Sequence, residues 1–165
     1  MESEQQRDPL GLAEHVAPHA THTPGLEVFV LFTDVPSTYG ALRAAMQLCE
    51  GLAARVRLLM VHEVPYPAPI DKPPQNLAFL RARFQALIGR CTEEVNCPEV
   101  EAKAEIVLCR DGWKTLENKL SDESVVVIGR RSGWWPHRED RWARRLRRAG
   151  HHVVRTSCGG GTENG

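Results

Sequence analysis

Short apolar runs, each too brief for an ordinary helix, recur along the chain with amphipathic stretches between them. Leu26 to Thr33 is the first such run and Val56 to His62 the second. A run that stays apolar instead of alternating belongs to a strand buried on both faces, and such strands occur in parallel sheets covered by helices. Ala102 to Cys109, alternating only at its start, is a third strand. Val125 to Ile128 is the fourth and His152 to Thr156 the fifth. The segments between them carry helical spacing. Leu42, Ala45, Met46, Cys49, Leu52 and Ala53 make one core-facing stripe, and Leu77, Leu80, Phe84, Leu87, Ile88 and Cys91 a second. Trp113, Leu116 and Leu120 mark a short third helix, and Trp142, Leu146 and Ala149 a fourth. The order βαβαβαβαβ predicts an open five-stranded parallel sheet with helices on both faces and right-handed crossovers.

Punctuation residues fit this order. Ser37 or Thr38 can cap the first helix, with Pro36 just before it. Asn76 and Asp111 are placed to cap the second and third helices. Pro136 suits the first turn of the last helix, Glu139 and Asp140 its positive end, and the following arginines its negative end. Gly150 ends that helix. Val64 to Pro74 is Pro-rich and reads as a loop. Residues 1–24 read as a mobile tail, 25–157 as one α/β domain, and 158–165 as a flexible tail.

The net charge of zero conceals a separation. Residues 1–110 hold ten Lys/Arg against fourteen Asp/Glu, whereas 121–155 hold nine Arg against four acids. The second segment favours an anionic ligand or partner, or is a solvated face whose arginines find acidic neighbours within the fold. No apolar run approaches the roughly 18 residues of a membrane span. The N-terminus, Met1 to Asp8, is polar and acidic, unlike a secretory signal, so a cytoplasmic chain is expected. Five cysteines without a Cys-x-x-Cys spacing argue against a disulfide framework and against a zinc site. Cys49, Cys91 and Cys109 read as small buried hydrophobes, and Cys158 as a candidate thiol. His15, His19 and His22 can share a helical face, but Pro18 and Pro24 interrupt it.

Three segments together resemble the universal stress protein family. Val28 to Asp34 is an apolar strand ending in Thr33-Asp34 before a helix. Arg57 to Val64 (Arg-Leu-Leu-Met-Val-His-Glu-Val) is similar to the family's second strand. Ile106 to Gly129 has the family's rhythm of strand, short capped helix and Ser-Val-Val-Val-Ile-Gly. The resemblance covers about residues 26–156. It implies an adenine-nucleotide-hydrolase-like α/β fold, a role in stress response, and a homodimer, because the last strand of that family often pairs between subunits. Here that strand is short and bears Arg155.

In members that bind ATP, an Asp after the first strand and a Val on the second surround the adenosine. Those positions match Asp34 and Val61. The phosphates lie on a glycine-rich turn after the fourth strand, ending in Gly-Ser or Gly-Thr at a helix N-terminus. Of that pattern this chain keeps Gly129. Ser132 stands at the second glycine, beside Gly133, and the Gly-Ser position falls on Trp142-Ala143 or on Glu139-Asp140. Tryptophan blocks the close backbone approach that glycine allows. Carboxylates at that place repel a triphosphate. Arg130 and Arg131 can grip a phosphate with their side chains instead, which makes a different site. The resemblance therefore implies an ATP site lost or remodelled. ATP or AMP is the ligand to test, with Asp34, Val61, Gly129, Arg130 and Arg131 as candidate contacts and slow hydrolysis as the alternative activity. Asp34 also has a purely structural reading, as a helix cap or turn closer.

No catalytic motif stands out. Ser-Gly-Trp at 132–134 is no nucleophile elbow, and no P-loop or dinucleotide fingerprint is present. His62 and Glu63 are adjacent on a strand and point to opposite faces, so they form no acid–base pair. Trp134 or Trp135 can stack on a base and the arginines can contact phosphate, yet the pattern matches no DNA or RNA module. Trp and Arg together fit a protein-partner surface better.

Overall fold

The computed structural model describes residues 25–72, 74–130 and 138–157, and the backbone of 162–163. Its elements are β1 (Leu26–Leu31), α1 (Val35–Leu48), β2 (Ala54–Glu63), α2 (Leu77–Val95), β3 (Val100–Cys109), α3 (Gly112–Lys119), β4 (Val125–Arg130), α4 (Arg138–Arg148), β5 (His152–Ser157) and β6 (Thr162–Glu163). The sheet order is β3-β2-β1-β4-β5-β6. The first five strands are parallel, as the apolar runs predict. β6 is an addition: it pairs antiparallel with β5, Arg155 opposite Glu163 and Thr156 opposite Thr162. Residues 158–165 therefore include a short strand that their composition did not signal.

The strands sort their side chains by parity, and two cores result. Val28, Val30, Val56, Leu58 and Val127 face α1 and α2, where Leu42, Met46, Phe84 and Cys91 close over them. Phe29, Leu31, Leu59, Val61, Val126 and Ile128 face the other way, under α3 and α4, against Leu116, Trp142 and Leu146. Helices therefore cover both faces. Among the described residues no helix is long and apolar enough to cross a membrane.

Several boundaries depart from the sequence reading. β2 begins at Ala54 and β3 at Val100, because Ala54 pairs with both Leu26 and Val100. Neighbouring strands extend a strand past its own apolar run. β4 runs through Gly129 to Arg130, in register with Thr156 and Ser157. α1 ends at Leu48, so the helical spacing through Leu52 and Ala53 is coincidental, and both residues are exposed. Ala149 likewise falls just beyond α4 and is exposed, with Gly150 at φ 93° turning the chain away. Asn76 stands at the start of α2, but its side chain makes no capping bond. Asp111 does cap α3, its Oδ1 accepting from Lys114 N–H at 3.0 Å. Pro136, Trp134, Trp135, Cys158 and the histidines of 1–24 lie outside the described residues.

Candidate functional site

The chain runs β1-β2-β3 to one side of the sheet and β4-β5 to the other, so β1 and β4 are neighbours whose connections diverge. A crevice at the carboxyl ends of two such strands is where open α/β sheets take ligands. A cleft of about 190 Å³ lies there. Leu31 of β1 and the two residues after it, Phe32 and Thr33, line it with Ile128 of β4 and with Arg138, Glu139 and Trp142 from the first turns of α4. Small-molecule pockets usually measure roughly 300–1,000 Å³.

The residues beside the cleft are tied to one another. Asp34, not Ser37 or Thr38, caps α1. Its extended backbone (φ −142°, ψ 171°) starts the helix at Val35, with Pro36 in the first turn. Pro is tolerated there because the amide it lacks would have no helical partner. Asp34 Oδ1 accepts from Ser37 N–H at 2.9 Å. Ser37 Oγ sits 3.0 Å from Asp34 Oδ2 and 3.3 Å from the Arg130 carbonyl, so its one proton is shared between two acceptors. Thr38 Oγ1 accepts from Thr33 N–H at 3.1 Å, and Thr33 Oγ1 donates to the Gly129 carbonyl at 3.4 Å. These bonds bolt the end of β1, the start of α1 and the end of β4 together.

Gly129 is glycine for this contact. A Cβ added there would lie 2.1 Å from the carbonyl oxygen of Ser37 and 2.4 Å from its carbonyl carbon. Backbone cannot yield as a flexible side chain can. The missing side chain lets β4 pass close to the first turn of α1, inside the fold.

Of the candidate contacts, Asp34 and Gly129 meet through Ser37, and Arg130 joins them through its backbone carbonyl. Val61 is not brought to the cleft. It is buried near the end of β2, in the core under α3 with Cys109 and Leu116. Arg131 lies outside the described residues. His62 and Glu63 do diverge, and Glu63 is engaged: its Oε1 accepts from Gly112 N–H at 2.9 Å, at the start of α3. A carboxylate at a helix N-terminus is favoured by the helix dipole. Glu63 is nonetheless exposed, and a carboxylate so far along the chain from Gly112 carried no local signal for this bond.

Trp142, read from the helical spacing with Leu146, is buried in the core at 9% exposure. It also forms a wall of the cleft, with the Arg138 guanidinium 4.5 Å above its ring. Other arginines of the basic segment are likewise occupied. Arg145 stacks over Trp113 at 4.1 Å, Arg147 Nη2 donates to the Val153 carbonyl at 3.3 Å, and Arg155 pairs with Asp140. Of the buried thiols, Cys109 lies on this face under α3, and Cys49, Cys91 and Cys97 on the opposite one. Burial pushes Cys91 up to about 11 and raises Cys49 and Cys97 as well.

No family model matches the chain, and no curated protein matches it. Among solved structures it is similar to a protein from the universal stress protein family from Burkholderia pseudomallei, at 19% identity, over 79% of this chain and 94% of that chain, with a TM-score of 0.48.

Proposed function

We propose that this chain is a non-catalytic α/β binding domain of the universal-stress-protein kind that works by association, with a homodimer or partner protein as its target, and that the nucleotide site of that family is remodelled in it. The observation that carries this reading is the use made of Asp34 and Gly129. Asp34 directs its carboxylate to Ser37 N–H and Oγ, and Gly129 gives its open side to the Ser37 carbonyl. The two residues that would serve adenosine and phosphate thus serve the α1–β4 joint. The cleft supports the same reading, since about 190 Å³ walled by Trp142 and Glu139 is small and carries a carboxylate where a triphosphate would lie. Glu63 caps α3, which supports a domain without acid–base chemistry at the end of β2.

Titration calorimetry of the full chain with ATP and AMP is expected to give no heat of binding at micromolar concentrations. Micromolar ATP affinity that disappears in Asp34→Ala would sink the proposal.

A second reading has one observation in its favour. Arg138 lines the cleft, and Arg130 ends β4 as an exposed residue. A small anion such as sulfate or inorganic phosphate fits that chemistry better than a triphosphate does. Saturable sulfate binding weakened by Arg138→Ala would favour it, and the absence of such binding would remove it.

A further inference from the structure

The two sides of the sheet end differently. β5 carries β6 along its outer side. β3, a strand of 10 residues, pairs with β2 on one side, and no strand pairs with its other side among the described residues. An open edge of that length presents a row of N–H and C=O groups to any strand that can match it. The side chains beside it are sorted. Ala102, Ala104 and Ile106 pack against the α1/α2 core and Val107 against the other. Strand alternation therefore places Val100 and Leu108 with the first set, and Glu101, Lys103 and Glu105 with Val107. One face of the edge is apolar and the other is charged.

We propose that a second copy of this chain docks on β3, antiparallel, about a twofold axis through Ala104. In that register Lys103 faces the partner's Glu105, and Glu105 the partner's Lys103. On the apolar face Ala102 meets the partner's Ile106, Val100 meets the partner's Leu108, and Ala104 meets its own copy. The pairing spans Val100 to Leu108 and leaves no like charges opposed. Neighbouring registers do worse. An axis through Lys103 sets Lys103 against itself and Glu101 against Glu105, and an axis through Glu105 sets Glu105 against itself. Like charges directly opposite one another are destabilising. An axis through Ala102 pairs Lys103 with Glu101 but sets Glu105 against Glu99 and leaves the strand beyond it unmatched.

The free chain can release these side chains. Lys103 lies 2.5 Å from Glu101 and is 74% exposed, and Glu105 pairs with Lys119. Exposed pairs of this kind are worth little. Glu101 keeps Arg55 at 3.3 Å when Lys103 turns to the partner.

This inference rests on the association reading above and adds the surface and the occupant. Analytical ultracentrifugation of the full chain tests it. The wild type is expected to sediment at twice its 18.5 kDa. Lys103→Glu and Glu105→Lys are each expected to be monomeric with unchanged circular dichroism, because each sets like charges opposite one another across the axis. An equimolar mixture of the two variants is expected to regain the dimer, since opposite charges then meet at both positions. A monomeric wild type, or monomeric variants whose mixture stays monomeric, overturns the inference. A dimer that both variants leave intact overturns it too, yet keeps the association reading, because association then uses another surface. ATP binding in the calorimetry above overturns that reading whatever the oligomeric state.

Discussion

On the face covered by α1 and α2, fully buried Phe84, Leu42, Met46 and Leu58 interlock, and Cys49, Cys91 and Cys97 are sealed among them. On the face covered by α3 and α4, Trp113 and Trp142 each lie under an arginine, and Arg155 ties β5 to the first turn of α4. The buried centre of the first face is aliphatic and aromatic, and its charges, Arg90 over Tyr39 and Arg43 paired with Glu94, lie between α1 and α2. The second is finished with arginine, whose planar head stacks on a ring while its charge stays at the rim. The contrast teaches that an arginine count overstates the charge this segment offers to a polyanion, since several of those guanidinium groups are part of the packing.

The comparison can be broken most sharply at Phe84, whose ring lies 4.7 Å from that of Phe32. Phe84→Ala is expected to cost about 3–5 kcal/mol in urea unfolding, the usual cost of emptying an aromatic core site. A loss no larger than that from removing a stacked arginine would erase the distinction between the faces.

Next comes the alkaline limb of the stability curve. The Cys91 thiol, raised by burial from 9.0 to about 11, ionises in the unfolded chain before it does in the fold. Its contribution is therefore whole below pH 9.0 and is lost as pH rises to about 11, by about 2–3 kcal/mol. Stability measured against pH should fall across that window in the wild type and fall less in Cys91→Ala.

The joint between the faces gives a smaller effect. Gly129→Ala presses a methyl group against the Ser37 carbonyl and is expected to cost about 1–3 kcal/mol. Thermal melting without any loss would show that α1 can shift, and that the cleft can widen with it. Asp34→Ala removes the α1 cap for about 0.5–2 kcal/mol, readable as a lower urea midpoint at unchanged slope. Smallest of all, Arg145→Ala uncovers Trp113 for about 0.5–1 kcal/mol. A stability change that vanishes in high salt would mean that Arg145 acts there as a bare charge.

The strand runs were legible because burial on both faces leaves an uninterrupted apolar string, and Val28 to Leu31 and Val126 to Ile128 are such strings. The ends were less legible. Arg55 and Glu101 extend β2 and β3 only because each lies opposite the other in the register. The cap of α1 was read two ways, as Ser37 or Thr38 and as Asp34, since all are capping residues and a local reading cannot rank them. What decides between them is the Arg130 carbonyl, a group from the far end of β4 that takes up the Ser37 hydroxyl. The bond from Gly112 to Glu63 left no trace for the same reason, the two being brought near only by the fold. Contacts between segments distant in sequence leave no local pattern, and the site is made mostly of such contacts.

The short strand β6 has a consequence for stoichiometry. A sheet open on both sides can add neighbours without limit, and that is the geometry of fibres. Here Thr162 and Glu163 lie along one side, opposite Thr156 and Arg155. Among the described residues the β3 side has no strand beside it, and in the pairing proposed above two copies joined there leave β6 on both outer sides of the sheet. The proposed pairing is then finite, and cutting the chain after Ser157 removes the stop that β6 supplies.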